Sequence, residues 1–155
     1  MNVNSLNHYV IRVTDDNCRC VSVNGRPVSH FIDPDTKRGV QKLYVLKSGA
    51  EMYYVGITSQ PMSSRLWIGY QVNSRTGYHG YKWRSQITQA ELLVWCFTGN
   101  DRDAVESVEG ELVYLIRNQT GRWPRYQMEI HFHPDATDEE KHIAELIYND
   151  CFQRR

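Results

Sequence analysis

Residues 42–61 read KLYVLKSGAEMYYVGITSQP, and the fold turns on this stretch. Residues 43–46 and 52–55 are β-prone runs, separated by Lys47, the bend Ser48-Gly49-Ala50 and Glu51. Two such runs around a glycine-containing bend predict a hairpin. With Lys47 paired to Glu51 across a three-residue loop, the antiparallel register sets Tyr44 opposite Tyr54. Both phenols then share one face and Tyr53 lies on the other. A slip of one residue would part them, because side chains alternate along a strand.

Downstream, Thr58-Ser59-Gln60-Pro61 offers hydroxyl caps and a proline near a first helical position, and Met62, Leu66 and Tyr70 follow at four-residue spacing. That pattern predicts a helix carrying Arg65. Residues 69–84 mix glycine, aromatics and basic side chains without a period and read as an irregular surface loop, whereas ELLVWCF, residues 91–97, reads as a buried strand. Asp103 and Glu106 have capping-box spacing ahead of Val105, Val108, Leu112 and Leu115, predicting a second helix to about Asn118. After the turn residues Gly121 and Pro124, alternation in Met128, Ile130 and Phe132 predicts a strand, and Thr137 with Glu140 opens a last helix through Ile143, Leu146 and Ile147.

Upstream, residues 8–13 and 20–23 read as short strands, followed by the Asn24-Gly25 turn signal and a polar stretch over residues 33–39. The expectation is one α+β domain with a central, mainly antiparallel sheet flanked by helices. Residues 1–42 form an N-terminal β extension packed on it, and residues 43–155 hold the main unit with its C-terminal strand and helix.

A chain of 155 residues fits one core. Eighteen basic and eighteen acidic residues cancel, so any nucleic-acid affinity must come from local patches and not from a global positive field. The four cysteines, Cys18, Cys20, Cys96 and Cys151, match neither paired zinc spacing nor a secreted disulfide framework and read as reduced thiols. His131 and His133 would share a strand face, as metal ligands can, but no third ligand stands at clear spacing. No apolar run approaches the ~20 residues that span a bilayer and the start lacks a signal-peptide pattern, so a cytoplasmic, non-membrane protein is expected.

Lys42-Leu43-Tyr44, Tyr54-Val55-Gly56, Arg65 and Glu109 stand in the order of the GIY-YIG nuclease signature, and over about residues 43–127 the chain resembles that family. Only the tyrosine of the first triplet is kept, and Arg65 lies nine residues after Gly56 where the family has eight. Pro124-Arg125-Tyr126-Gln127 resembles the Pro-x-Tyr-Asn block with glutamine at the amide position, and His79 lies near where some members place a histidine.

The resemblance implies a small GIY-YIG-type domain and a metal-dependent DNA endonuclease. Its catalytic residues would be Tyr44, Tyr54, Arg65, His79 and Glu109, and its one Mg²⁺ (or Mn²⁺) per site would sit on Glu109, with no organic cofactor. Tyr81, Lys82, Arg84 and Gln127 would contact DNA. The restriction-type branch suggested here acts as dimers or higher oligomers, so a homodimer is implied as well.

The chemistry suits these residue types. One carboxylate can hold a largely hydrated Mg²⁺, a guanidinium holds phosphate oxygens by two hydrogen bonds, and a phenol near a cation can take a proton from water. By resemblance Tyr44 is the base and Tyr54 positions it. Glu106 and Glu111 compete with Glu109 for the metal. Taken singly, the tyrosines read as half-buried sheet residues and Glu109 as a solvated helical glutamate. The rival functions are a structure-directed repair or mobile-element nuclease and a catalytically silent binding module.

Overall fold

The computed structural model describes residues 2–13, 18–71, 88–99, 101–127 and 135–153, with backbone alone over 67–71. His79, Tyr81, Lys82 and Arg84, the strand expected through Met128, Ile130 and Phe132, and the pair His131 and His133 lie outside the described residues.

The elements are β1 (Val3–Val13), β2 (Cys18–Val23), β3 (Arg26–Pro27), β4 (Lys42–Ser48), β5 (Glu51–Thr58), α1 (Met62–Gln71), β6 (Gln89–Phe97), α2 (Arg102–Thr120) and α3 (Asp138–Gln153). Among the described residues the strands form one antiparallel sheet in the order β3-β2-β1-β6-β4-β5. The molecule is thus an α+β domain with N-terminal strands. Residues 3–13 are not laid upon the sheet but built into it, since β1 hydrogen-bonds β2 on one side and β6 on the other. No helix among the described residues is long and apolar enough to cross a membrane.

Alternation along the strands divides the core into two layers. Tyr9, Ile11, Tyr44, Leu46, Leu92 and Val94 face one side and pack with Phe31 and with Met62 and Leu66 of α1. Leu43, Val45, Leu93, Trp95 and Phe97 face the other side and pack against α2 and α3. Cys20, Cys96 and Cys151 are buried, and none of the four cysteines is in a disulfide. Burial pushes each thiol up to about 12, which makes them poor nucleophiles.

The hairpin forms, but in another register than the sequence suggests. Ser48 pairs with Glu51 across a two-residue turn at Gly49-Ala50, where Gly49 has φ 57°. An irregularity between Leu46 and Lys47 then shifts the pairing again, so Leu46 faces Tyr54 and Tyr44 faces Gly56. Two shifts of one residue restore parity, so Tyr44 and Tyr54 still share a face, as diagonal neighbours and not as direct partners. The bulge also overturns the placement of Tyr53, which packs in the same layer as Tyr44 and Tyr54, because an extra residue turns two successive side chains the same way.

Helix limits differ at two further points. α1 continues to Gln71, three residues into the stretch read as loop. The N-cap of α2 is Asp101, whose carboxylate accepts from Ala104 N at 3.1 Å, two residues before the expected Asp103. The capping box of α3 forms as read: Thr137 Oγ1 accepts from Glu140 N at 3.1 Å and Thr137 N donates to Glu140 Oε1 at 2.9 Å.

Candidate active site

Tyr44 is placed by its cross-strand neighbour. Its ring lies over Gly56, where a Cβ would stand 2.5 Å from Tyr44 Oη and 2.6 Å from Cζ. No other residue leaves that space, so the glycine allows a large phenol to lie flat across β5 at 1% exposure. The half-buried Tyr54 is beside it, with ring centroids 6.1 Å apart and planes inclined by 37°.

Arg65 comes from α1. Met62 and Leu66, one helical turn apart, are buried in the layer beneath, which leaves Arg65 on the flank toward β4 and β5. Its Nε donates to Tyr44 Oη at 3.2 Å. The start of α1 is fixed from outside, since Met62 N donates to the Asp35 carbonyl at 2.9 Å.

Glu109 comes from α2, on the opposite layer. It lies four residues after Val105 and three before Leu112, within the apolar stripe, and is only 8% exposed. Its reading as a solvated glutamate is therefore overturned. Burial first, and the neighbouring Glu106 second, push its carboxyl up to about 7, while the positive charges of Arg102 and Arg65 act against that rise. Arg65 thus acts on Glu109 through its charge, on Tyr44 through a hydrogen bond, and Tyr54 joins them through its ring contact with Tyr44. Of the competing carboxylates, Glu106 is half-buried with Arg102 Nη2 at 4.0 Å, and Glu111 is half-buried off the apolar stripe.

Gln127 serves the strand itself. Its Oε1 accepts from Val55 N at 2.9 Å and its Nε2 donates to Val55 O at 3.0 Å, so the side-chain amide acts as one residue of an additional strand. Arg125 N and Tyr126 N continue the pairing to Met52 O at 2.9 Å and Tyr53 O at 2.8 Å. The segment covers the outer edge of β5 from Met52 to Val55. Sequence reasoning gave Gly56 and Gln127 no such positioning duties. The glycine opposite a tyrosine was a usable signal only with the true register, and the amide's backbone partner has none.

A divalent ion fits what is present on one condition. Among the described residues no three His, Cys, Asp or Glu side chains converge, so a fully protein-ligated ion has no cage there. Glu109 is a buried carboxyl whose charge is disfavoured until a cation comes near, which suits an ion that keeps most of its water. No protein-family model, curated protein or solved structure matches the chain.

Proposed function

We propose that this group is a phosphodiesterase site, made of a phenol pair, a guanidinium and one buried carboxylate. More specifically, the chain is a GIY-YIG-type, metal-dependent DNA endonuclease of the restriction kind. The observation that carries this reading is the Arg65–Tyr44 hydrogen bond, which joins α1 to β4 by two polar side chains; the charge of Arg65 also acts on the buried Glu109 of α2.

In this reading Arg65 has two tasks. Nε holds Tyr44 Oη, and a donated N–H on a phenol oxygen favours the phenolate, the form that can take a proton from the attacking water and become the neutral phenol as hydroxide is released to the phosphorus. The terminal guanidinium nitrogens bind non-bridging phosphate oxygens, with the fork geometry lysine lacks. Tyr54 packs against Tyr44 and limits the phenol's swing. Glu109 would hold Mg²⁺ or Mn²⁺, which when bound supplies charge neutralisation at the phosphate and the leaving oxygen. Gln127 keeps β5, and with it Tyr54 and Gly56, in register.

The test is incubation of purified protein with plasmid, linear and branched DNA, and RNA, in Mg²⁺ or Mn²⁺ and in EDTA. Scission that EDTA abolishes is expected, with plain duplex cut at least as fast as branched DNA. Preference for branched DNA would indicate the repair-type reading, and intact substrates under every condition would leave a binding module.

A further inference from the structure

Two buried polar side chains outside the site, Asp35 and Lys42, hold the chain around residues 33–40 and the turn before α1. Lys42 is 0% exposed, and its Nζ donates to the carbonyl oxygens of Lys37 at 2.7 Å, Val40 at 3.0 Å and Gln60 at 2.9 Å. An ammonium has three donors, and all three are used. Asp35, also 0% exposed, accepts from Tyr9 Oη at 2.5 Å and Asn7 Nδ2 at 3.0 Å, with Cys96 Sγ at 3.1 Å. Burying an ion costs several kcal/mol unless its hydrogen bonds are made. Here two are buried and satisfied: Asp35 pins residues 33–39 to β1 and β6, and Lys42 ties the Lys37 carbonyl to those of Val40 and Gln60.

That segment contributes little to the core. Lys37, Arg38 and Gly39 are exposed, and Thr36 Oγ1 donates to the exposed Asp33. Gly39 N donates to Ser59 O at 2.8 Å, which sets the two cations against the β5–α1 turn. Ser59 is three residues from Gly56, over which Tyr44 lies, about 10 Å at the rise of a strand. Neighbouring phosphates along one nucleic-acid strand are separated by less than that, so a strand crossing the site meets the segment within a few nucleotides. The charge of the chain is also segregated. Residues 1–88 hold eleven of the eighteen basic and five of the eighteen acidic residues, a net +6, and residues 89–155 a net −6.

We infer that residues 33–39 are a preorganised contact for the phosphate backbone of DNA, made by Lys37 and Arg38, flanking the scissile position. The inference rests on the nuclease reading for its choice of partner. A backbone held rigid beforehand loses less entropy on binding than a mobile loop, which accounts for Asp35 and Lys42 being buried to hold so polar a segment.

The test is anisotropy titration of a labelled DNA duplex in EDTA, between roughly 50 and 200 mM KCl. The proteins are wild type, Lys37→Ala/Arg38→Ala and, as a control for charge, Arg122→Ala/Lys141→Ala, with circular dichroism to verify folding. Two lost phosphate contacts should lower the slope of log affinity against log salt by about 1.8 and weaken binding roughly 10- to 100-fold near 0.1 M salt, while the control stays close to wild type. An unchanged slope and affinity in Lys37→Ala/Arg38→Ala would overturn the inference even if the protein cuts DNA, as would an equal loss in the control or a wild type that binds no DNA. Binding that depends on the pair in a protein that cuts nothing upholds the surface and rejects the nuclease reading.

Discussion

Replacing Glu109 by glutamine should make the protein more stable, and by an amount set by pH. The carboxyl rises from its ordinary 4.5 to about 7, chiefly through burial. At ~1.4 kcal/mol per tenfold change in proton affinity, ionised Glu109 costs the fold about 3 kcal/mol. The folded value lies above the unfolded one, so the contribution to stability is full below about 4.5 and is lost as pH rises through about 7. Glutamine fills nearly the same volume and never ionises. Urea denaturation in EDTA should therefore find Glu109→Gln ahead of wild type by about 1 kcal/mol at pH ~5 and about 3 kcal/mol at pH ~8. A gap that does not widen with pH, or a variant no more stable than wild type at pH ~8, would refute the placing of this carboxyl in a desolvated site. A stability cost of this kind is a mark of residues kept for chemistry.

Other outcomes follow from the same geometry. Gly56→Ala puts a methyl group 2.5 Å from Tyr44 Oη, so the ring must leave its place; about 1–3 kcal/mol of stability should go, and cleavage should fall further than the loss of folded protein explains. Arg65→Lys retains the charge but neither the Nε bond to Tyr44 nor the fork, and cleavage should fall about 10²–10³-fold with the melting temperature nearly unchanged. Gln127→Ala strips Val55 N–H and C=O of their partner, with an expected loss of about 1–3 kcal/mol by urea titration and faster amide exchange at Val55.

The hairpin, the helix with Arg65, the buried strand β6 and the capping box of α3 were legible in local pattern, because glycine bends, proline at a helix start and apolar periodicity act over a few residues. Register was not. The turn took two residues instead of three and a bulge added one more shift, and nothing near Tyr53 marks a bulge in advance. The tyrosines were brought to one face all the same, since two single shifts cancel in a structure of period two. β3, only two residues long, is too short to show a pattern. The burial of Glu109 could have been found, as a carboxylate between Val105 and Leu112 interrupts an apolar stripe. The buried pair Asp35 and Lys42 could not, because short polar stretches of this kind are read as solvent-facing and only contacts distant in sequence, from Asn7, Tyr9 and Cys96, reveal otherwise.

In the proposed nuclease site Glu109, and neither of its neighbours on α2, is the carboxylate that would hold the metal. Relaxation of supercoiled plasmid in Mg²⁺ by wild type, Glu109→Ala, Glu106→Ala and Glu111→Ala tests it most directly. The expected result is cutting by wild type that EDTA stops, abolished in Glu109→Ala and kept within about tenfold in the other two. Full activity in Glu109→Ala, or no cutting by wild type in any divalent metal, would contradict it.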